Sequence, residues 1–292
     1  MEDISKNIKY YRKNLGLTRK ELAEGVCDES TLFRIEKGNQ LPRVDVLINL
    51  CKKLNLPIEY IVNGINSDEV KMLKDIKRLC RGYVYDMNYV GLRYIIDEFH
   101  KLKDRHTLGL NLDILDRFIK WHEAILVHED EKDNITAEKL LLAINNSKLT
   151  TEIDIGIANS LGLVWLSLNK TDDAFCIFKD AFTSLSRLPI KMDLTIYPRV
   201  GYNLAFCYYN QKEYEEAIGI AYSLLSYLES NQLSFILGKT HHMIGILNKK
   251  NGYFQCAEEH LKKAQYLFYI EDKKEYYEKV VEDIQKLNNK II

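Results

Sequence analysis

Proline and patterned cysteine are scarce in this chain. Only 4 of its 292 residues are proline and 14 are glycine, too few turn-formers for a loop-rich all-β fold. Its 6 cysteines (27, 51, 80, 176, 207 and 256) form no C-x-x-C pair and no paired spacing. That argues against a disulfide framework or a zinc site and for reduced, buried thiols. Long apolar runs are missing as well: the longest uncharged stretch, Ile155 to Asn169, has 15 residues and contains Asn and Ser. A bilayer span needs roughly 20. The start, MEDISKNIKYYRKN, has no signal-peptide core, so a cytoplasmic protein without membrane contact is expected. No G-x-x-x-x-G-K-[ST], G-x-S-x-G or G-x-G-x-x-G occurs, and none of the histidines sits in H-E-x-x-H. The acidic run at 129–133 lacks the spacing and glycine of an EF-hand and reads as a solvated loop. The expectation is no enzyme, no cofactor and no metal. With 41 basic and 42 acidic residues the net charge is −1, so any affinity for a polyanion must come from a local basic surface.

What remains is helix after helix. Ile4, Ile8, Tyr11 and Leu15 give an amphipathic first helix that Gly16 stops. Thr18 and Glu21 have capping-box spacing, and Leu22, Ala23 and Val26 share one face of the helix that follows. Cys27 turns the chain, Asp28 caps a second helix ending at Gly38, and Leu32 and Ile35 point inward from it. Two short helices joined so tightly form a helix-turn-helix, sized for the DNA major groove. Val44–Leu54 is a further helix with Leu47, Leu50 and Leu54 inward, and Pro57 and Gly64 bracket a fifth.

The segment NLGLTRKELAEGVCDESTLFRIEKGNQLPRVDVLINLCKKLNLP resembles the five-helix DNA-binding domain of phage repressors, Cro and the Xre-type regulators, from about Ile4 to Gly64. The resemblance implies a structural ion pair between Arg12 and Glu36. Two departures stand out: Cys27 occupies a turn position often filled by glycine, and the usual glutamines of the reading helix are absent. No operator sequence follows.

After Ser67, helices are predicted near 68–82, 88–103, 109–128, 135–146, 152–168, 171–187, 196–210, 213–230, 234–250, 253–270 and 273–290. An internal repeat organises them. Gly162, Ala205 and Gly245 each precede an alanine by 12 positions, at Ala174, Ala217 and Ala257. Ala181, Leu224 and Ala264 return to the packing side, and Ala137 marks a weaker, earlier copy. Small residues at such points let antiparallel helices approach closely, as in tetratricopeptide repeats, although the spacing is longer. The fold class expected is all-α: a five-helix repressor-like domain at 1–66, then a tetratricopeptide-like α-solenoid at 67–292.

That architecture is similar to the RNPP regulators (the Rgg, NprR, PlcR and PrgX group). The resemblance implies a homodimeric transcription regulator controlled by a short signalling peptide held in the repeats, of the quorum-sensing type. The alternative keeps the DNA domain and gives the repeats a protein partner or a role in assembly only. Double-stranded DNA with a palindromic operator, a short peptide and a second copy are thus the expected partners. By residue type, Arg19, Lys37, Asn39 and Arg43 are candidate phosphate contacts, against the plain reading of a solvated surface. Glu29, Ser30 and Arg34 are candidates for base edges, Glu29 alternatively complementing the helix dipole, and Thr31 caps or meets phosphate. In the repeats, Asn159 and Asn203 suit a peptide backbone, Arg199 or Lys239 an acidic group, and Tyr202, Phe206 and Tyr209 apolar walls, with His242 a further candidate for peptide contact. The plain alternative makes the aromatics interhelical core and has Asn203 satisfy a neighbouring helix end. The last helix pair, with Leu261, Leu267, Phe268, Tyr276, Tyr277, Val280, Val281 and Ile284, is apolar enough to serve the dimer.

Overall fold

The computed structural model describes residues 2–54, 56, 58–62, 67–104, 112–188 and 192–291. Among these every regular element is a helix. The chain divides into two compact units, Met1–Asp116 and Arg117–Ile292, and each is taken by itself. Pro57, Gly64 and the junction at 65–66 lie outside the described residues.

In the first unit, α1 (Glu2–Asn14), α2 (Arg19–Ala23), α3 (Glu29–Glu36), α4 (Val44–Leu54) and α5 (Ile58–Val62) close around one core. Ile8, Leu22, Leu32, Ile35, Leu50 and Ile61 are fully buried there. Each such side chain contributes on the order of 1.5–3 kcal/mol relative to exposure. The Thr18–Glu21 capping box forms as predicted: Thr18 N–H donates to Glu21 Oε2 (2.7 Å) and Glu21 N–H to Thr18 Oγ1 (3.2 Å). These bonds from Thr18 hold the Glu21 carboxyl below its ordinary range. Lys53 reaches back from α4 to the Glu21 (2.8 Å) and Glu24 (2.5 Å) carbonyls, satisfying the open end of α2.

Three local expectations change. Leu15 lies at the end of α1 and is 55% exposed: its amide still bonds to Tyr11 O (3.0 Å), and left-handed Gly16 (φ +70) ends the helix directly after it. The left-handed residue after α2 is Gly25 (φ +70), two positions before Cys27, so Cys27 needs no glycine. Asp28 holds the N-cap position of α3 in extended conformation, but its carboxylate makes no capping bond. The same unit contains α6 (Ser67–Tyr85) and α7 (Tyr89–Asp104), which pack on each other.

The second unit holds α8 (Leu112–Glu129), cut near its start by the unit boundary, and α9 (Asn134–Ile144). Three hairpins follow: α10 (Glu152–Ser167) with α11 (Thr171–Leu185), α12 (Ile196–Asn210) with α13 (Tyr214–Ser230), and α14 (Leu237–Lys250) with α15 (Phe254–Ile270). The helix α16 (Lys274–Ile291) completes the array. The 12-residue offset is a packing rule made visible. Ala174, Ala217, Ala257, Ala181, Leu224 and Ala264 are all fully buried. A Cβ built on Gly162 would lie 2.6 Å from the Phe178 ring, and one on Gly245 would lie 2.7 Å from Leu261 Cγ. Seven residues after each small position the chain takes one left-handed step, at Asn169 (φ 59), Lys212 (φ 66) and Gly252 (φ 81). The next amide then bonds back to the departing helix: Lys170 to Trp165 O (2.8 Å), Glu213 to Tyr208 O (3.0 Å), Tyr253 to Asn248 O (2.9 Å). This is a Schellman-type ending repeated three times. Lys132 (φ 59), followed five residues later by fully buried Ala137, extends the pattern to α8–α9.

A fourth correction concerns the far end. Leu261, Phe268 and Val280 are closed inside the α15–α16 packing rather than displayed. The large apolar side chains exposed there are Tyr266, Tyr269 and Ile270. Among the described residues no helix is long and apolar enough to cross a membrane, and no three His, Cys, Asp or Glu groups converge as a metal site would require.

Candidate functional site

Two sets of side chains stand out, one in each unit. In the first, α3 rests on its Leu32–Ile35 side and turns Glu29, Ser30, Phe33, Arg34 and Lys37 to solvent. Thr31 is half-buried, and Arg34 Nη2 lies 3.4 Å from its hydroxyl. Asn39 and Arg43 are exposed on the segment after α3, Arg43 3.5 Å from Asp45. Arg34, Lys37, Asn39 and Arg43 are thus all exposed on α3 or on the segment that follows it.

Behind this face lies the pair expected from the resemblance, with one member more. Glu36 accepts from Arg12 Nε (2.5 Å) and Nη2 (3.1 Å), and also from Arg19 Nε (2.8 Å). Its side chain is 1% exposed. Burial alone would raise this carboxyl, but the two arginines outweigh it and hold it below its ordinary value. Arg12 donates its remaining edge to Leu17 O (2.7 Å), tying α1 to the turn before α2. Arg19, a candidate phosphate contact by sequence, is thus also a structural partner. Its guanidinium lies over the exposed Phe33 ring, 5.0 Å from the centroid.

In the second unit α10 packs on α12, and α14 packs on α13 and α16. Counting from the small residue of each repeat shows why the candidates gather. Asn159, Tyr202 and His242 each lie three positions before it (at 162, 205 and 245), Arg199 and Lys239 six before, and Phe206 one after. Offsets of −6, −3 and +1 fall on one helical face. Asn203 Nδ2 donates to Asn159 Oδ1 at 2.9 Å, linking α10 to α12. That bond engages the Asn203 amide and the Asn159 carbonyl, leaving the Asn159 amide and the Asn203 carbonyl outside it.

The other members are placed as follows. Arg199 is engaged: its Nη2 meets Asp193 at 2.6 Å. Lys239 Nζ lies over the Tyr276 ring, 4.7 Å from the centroid. His242 Nε2 is 2.8 Å from Asp283 Oδ2, and His242 lowers the Asp283 carboxyl against the opposing effect of burial. Tyr202 packs against the buried cluster that includes Ala205, Ala217 and Met243, and burial pushes its phenol up to about 12. Phe206 is 41% exposed. Tyr276 and Asp283 of α16 also touch these side chains, across sequence separations that no local spacing marks.

Two family models match the chain: a helix-turn-helix model over residues 8–61 and the RNPP family C-terminal domain over residues 95–287. Comparison with curated proteins gives no match. Among solved structures the chain is similar to Bacillus thuringiensis PlcR in complex with the peptide PapR7 and DNA. Identity there is 21% and the TM-score 0.81, over 96% of this chain and 99% of that one. It is also similar to ComR from S. thermophilus in complex with DNA and its signalling peptide ComS (17%, TM-score 0.62, 98% and 99% covered). A third is the Streptococcus dysgalactiae SHP pheromone receptor Rgg2 (16%, TM-score 0.56, 97% and 99% covered). At these identities the likeness is one of fold.

Proposed function

The chain belongs to the RNPP family, and from that premise we propose that it is a DNA-binding transcriptional regulator switched by a short peptide held in its repeat domain. The observation that carries the proposal is the Asn159–Asn203 pair, set among aligned polar and aromatic groups in a chain that also has a helix-turn-helix. We take residues 1–66 as the DNA-binding domain and 67–292 as the repeat domain. The protein acts in the cytoplasm as a homodimer and performs no catalysis. One α3 buries little surface, so a symmetric dimer reads a palindrome with half-sites about 10 bp apart or a multiple of that. Glu29, Ser30 and Arg34 meet base edges; Arg19, Thr31, Lys37, Asn39 and Arg43 meet phosphates.

The peptide lies along the first helices of the hairpins, its backbone on Asn159 and Asn203. Tyr202, Phe206 and His242 line its side-chain pockets. Lys239 takes an acidic group, and Arg199 takes one only by exchanging Asp193. Binding one conformation better than another, the peptide changes operator affinity by that difference.

A pool of synthetic peptides of five to ten residues, passed over the full-length protein, supplies the ligand, which mass spectrometry identifies. Replacing both Asn159 and Asn203 with alanine should weaken the retained peptide at least tenfold by calorimetry, since each hydrogen bond contributes about 0.5–1.5 kcal/mol. DNA binding without peptide should be unchanged. A double variant that binds the peptide as tightly as the parent refutes this site. If nothing is retained, the reading in which the repeats hold a protein partner or only assemble the dimer takes its place.

A further inference from the structure

The recognition helix carries one exposed side chain that no base-reading or phosphate role has absorbed. Phe33 is 42% exposed in the middle of α3, on the side that leaves the core. A single exposed aromatic side chain is ordinary on a protein surface; what marks this one is its neighbours. Here two cations use it: Arg19, from α2, lies 5.0 Å from the ring centroid, and Lys37, one turn further along α3, lies 5.9 Å away. Both distances are within cation–π range.

The two cations are held differently. Arg19 is fixed twice, by the ring and by the Glu36 carboxylate at 2.8 Å, and that carboxylate is fixed in turn by buried Arg12. Lys37 is exposed, and the ring is the partner the structure gives it. Arg12 and Arg19 share the single Glu36 carboxylate, and Lys37 brings a further positive charge to the ring that Arg19 already covers. Like charges brought to one ring repel, and a phosphate between them removes that cost.

We propose that Phe33 is a positioning residue that holds Arg19 and Lys37 as a preformed phosphate clamp beside α3. This rests on the DNA-binding reading above. The ring carries no sequence information; it fixes two flexible side chains in advance, so less conformational freedom is lost on contact. Its quadrupole, not its bulk, is the active property.

The test uses the full-length protein and a random-sequence 30-bp duplex, with affinity measured over a salt series. Wild-type protein should bind with an affinity that falls steeply with salt. Phe33→Leu, which keeps apolar bulk and removes the ring, should bind about tenfold more weakly, and its log K against log salt slope should be shallower by about one to two phosphate equivalents. Phe33→Tyr should restore both quantities, and Phe33→Leu should melt with the wild type because the side chain is exposed. Phe33→Leu binding with wild-type affinity and slope overturns the proposal. So does a loss confined to particular sequences at unchanged slope, which would make the ring a base contact, such as one to a thymine methyl. Wild-type protein that binds no duplex at any salt defeats the DNA-binding reading itself, a result no Phe33 variant can produce.

Discussion

Glu36→Ala is expected to unfold the helix-turn-helix well before the repeat unit. The carboxylate serves three guanidinium contacts at 1% side-chain exposure. Without it, Arg12, at 8% side-chain exposure, keeps only the Leu17 carbonyl and brings an uncompensated charge into the core. Removing one member of a buried ion pair costs about 3–5 kcal/mol. Small domains are stable by about 5–15 kcal/mol in total. A far-ultraviolet melt of the variant should show an early transition carrying the loss of DNA binding, with the repeat transition unmoved. A variant melting as a single wild-type transition would sink the assignment.

The pH dependence has a definite sign. The folded Glu36 carboxyl is held below its ordinary value of 4.5, so its contribution is complete above that pH and fades as pH falls through the folded value. The difference between wild type and Glu36→Gln should therefore shrink under acid conditions.

The second large effect lies in the repeats. Gly245→Ala places a methyl 2.7 Å from Leu261 Cγ and 3.2 Å from the Ala257 backbone carbonyl, which cannot swing aside. Overpacking of this kind typically costs about 1–3 kcal/mol, and Gly245→Val should reach the upper end. Gly219, in the middle of α13, is the control, since an added Cβ there meets nothing within 4 Å. Gly219→Ala should stabilise by up to about 1 kcal/mol through helix propensity alone. Urea denaturation of the three variants distinguishes a repeat built on close approach from a generic helical bundle. Equal shifts for Gly245→Ala and Gly219→Ala would argue for the bundle.

What the sequence disclosed was local or periodic. The capping box is closed within one turn, and the repeat declares itself because a small residue and a fully buried alanine recur 12 positions apart in each hairpin. Contacts that depend on distant partners stayed hidden. Arg199 was a free cation on paper, and Asp193 claims it through a loop with no periodic mark. Arg19 gained its second role from Glu36, 17 residues away, and from the exposed ring of Phe33. Leu261, Phe268 and Val280 looked like surplus apolar surface because nothing local shows that α16 lies down on α15. Leu15 fits the helical period of α1, but at the very end of the helix it is 55% exposed.

The central claim is that one chain couples a peptide in the repeats to DNA on α3. Selecting a random duplex library with the full-length protein, then titrating the enriched duplex with and without the retained peptide, tests it most directly. The account predicts an inverted repeat whose affinity changes at least tenfold with peptide, and a change that disappears when Asn159 and Asn203 are both alanine. An enriched duplex bound equally well at every peptide concentration that saturates the protein would contradict it.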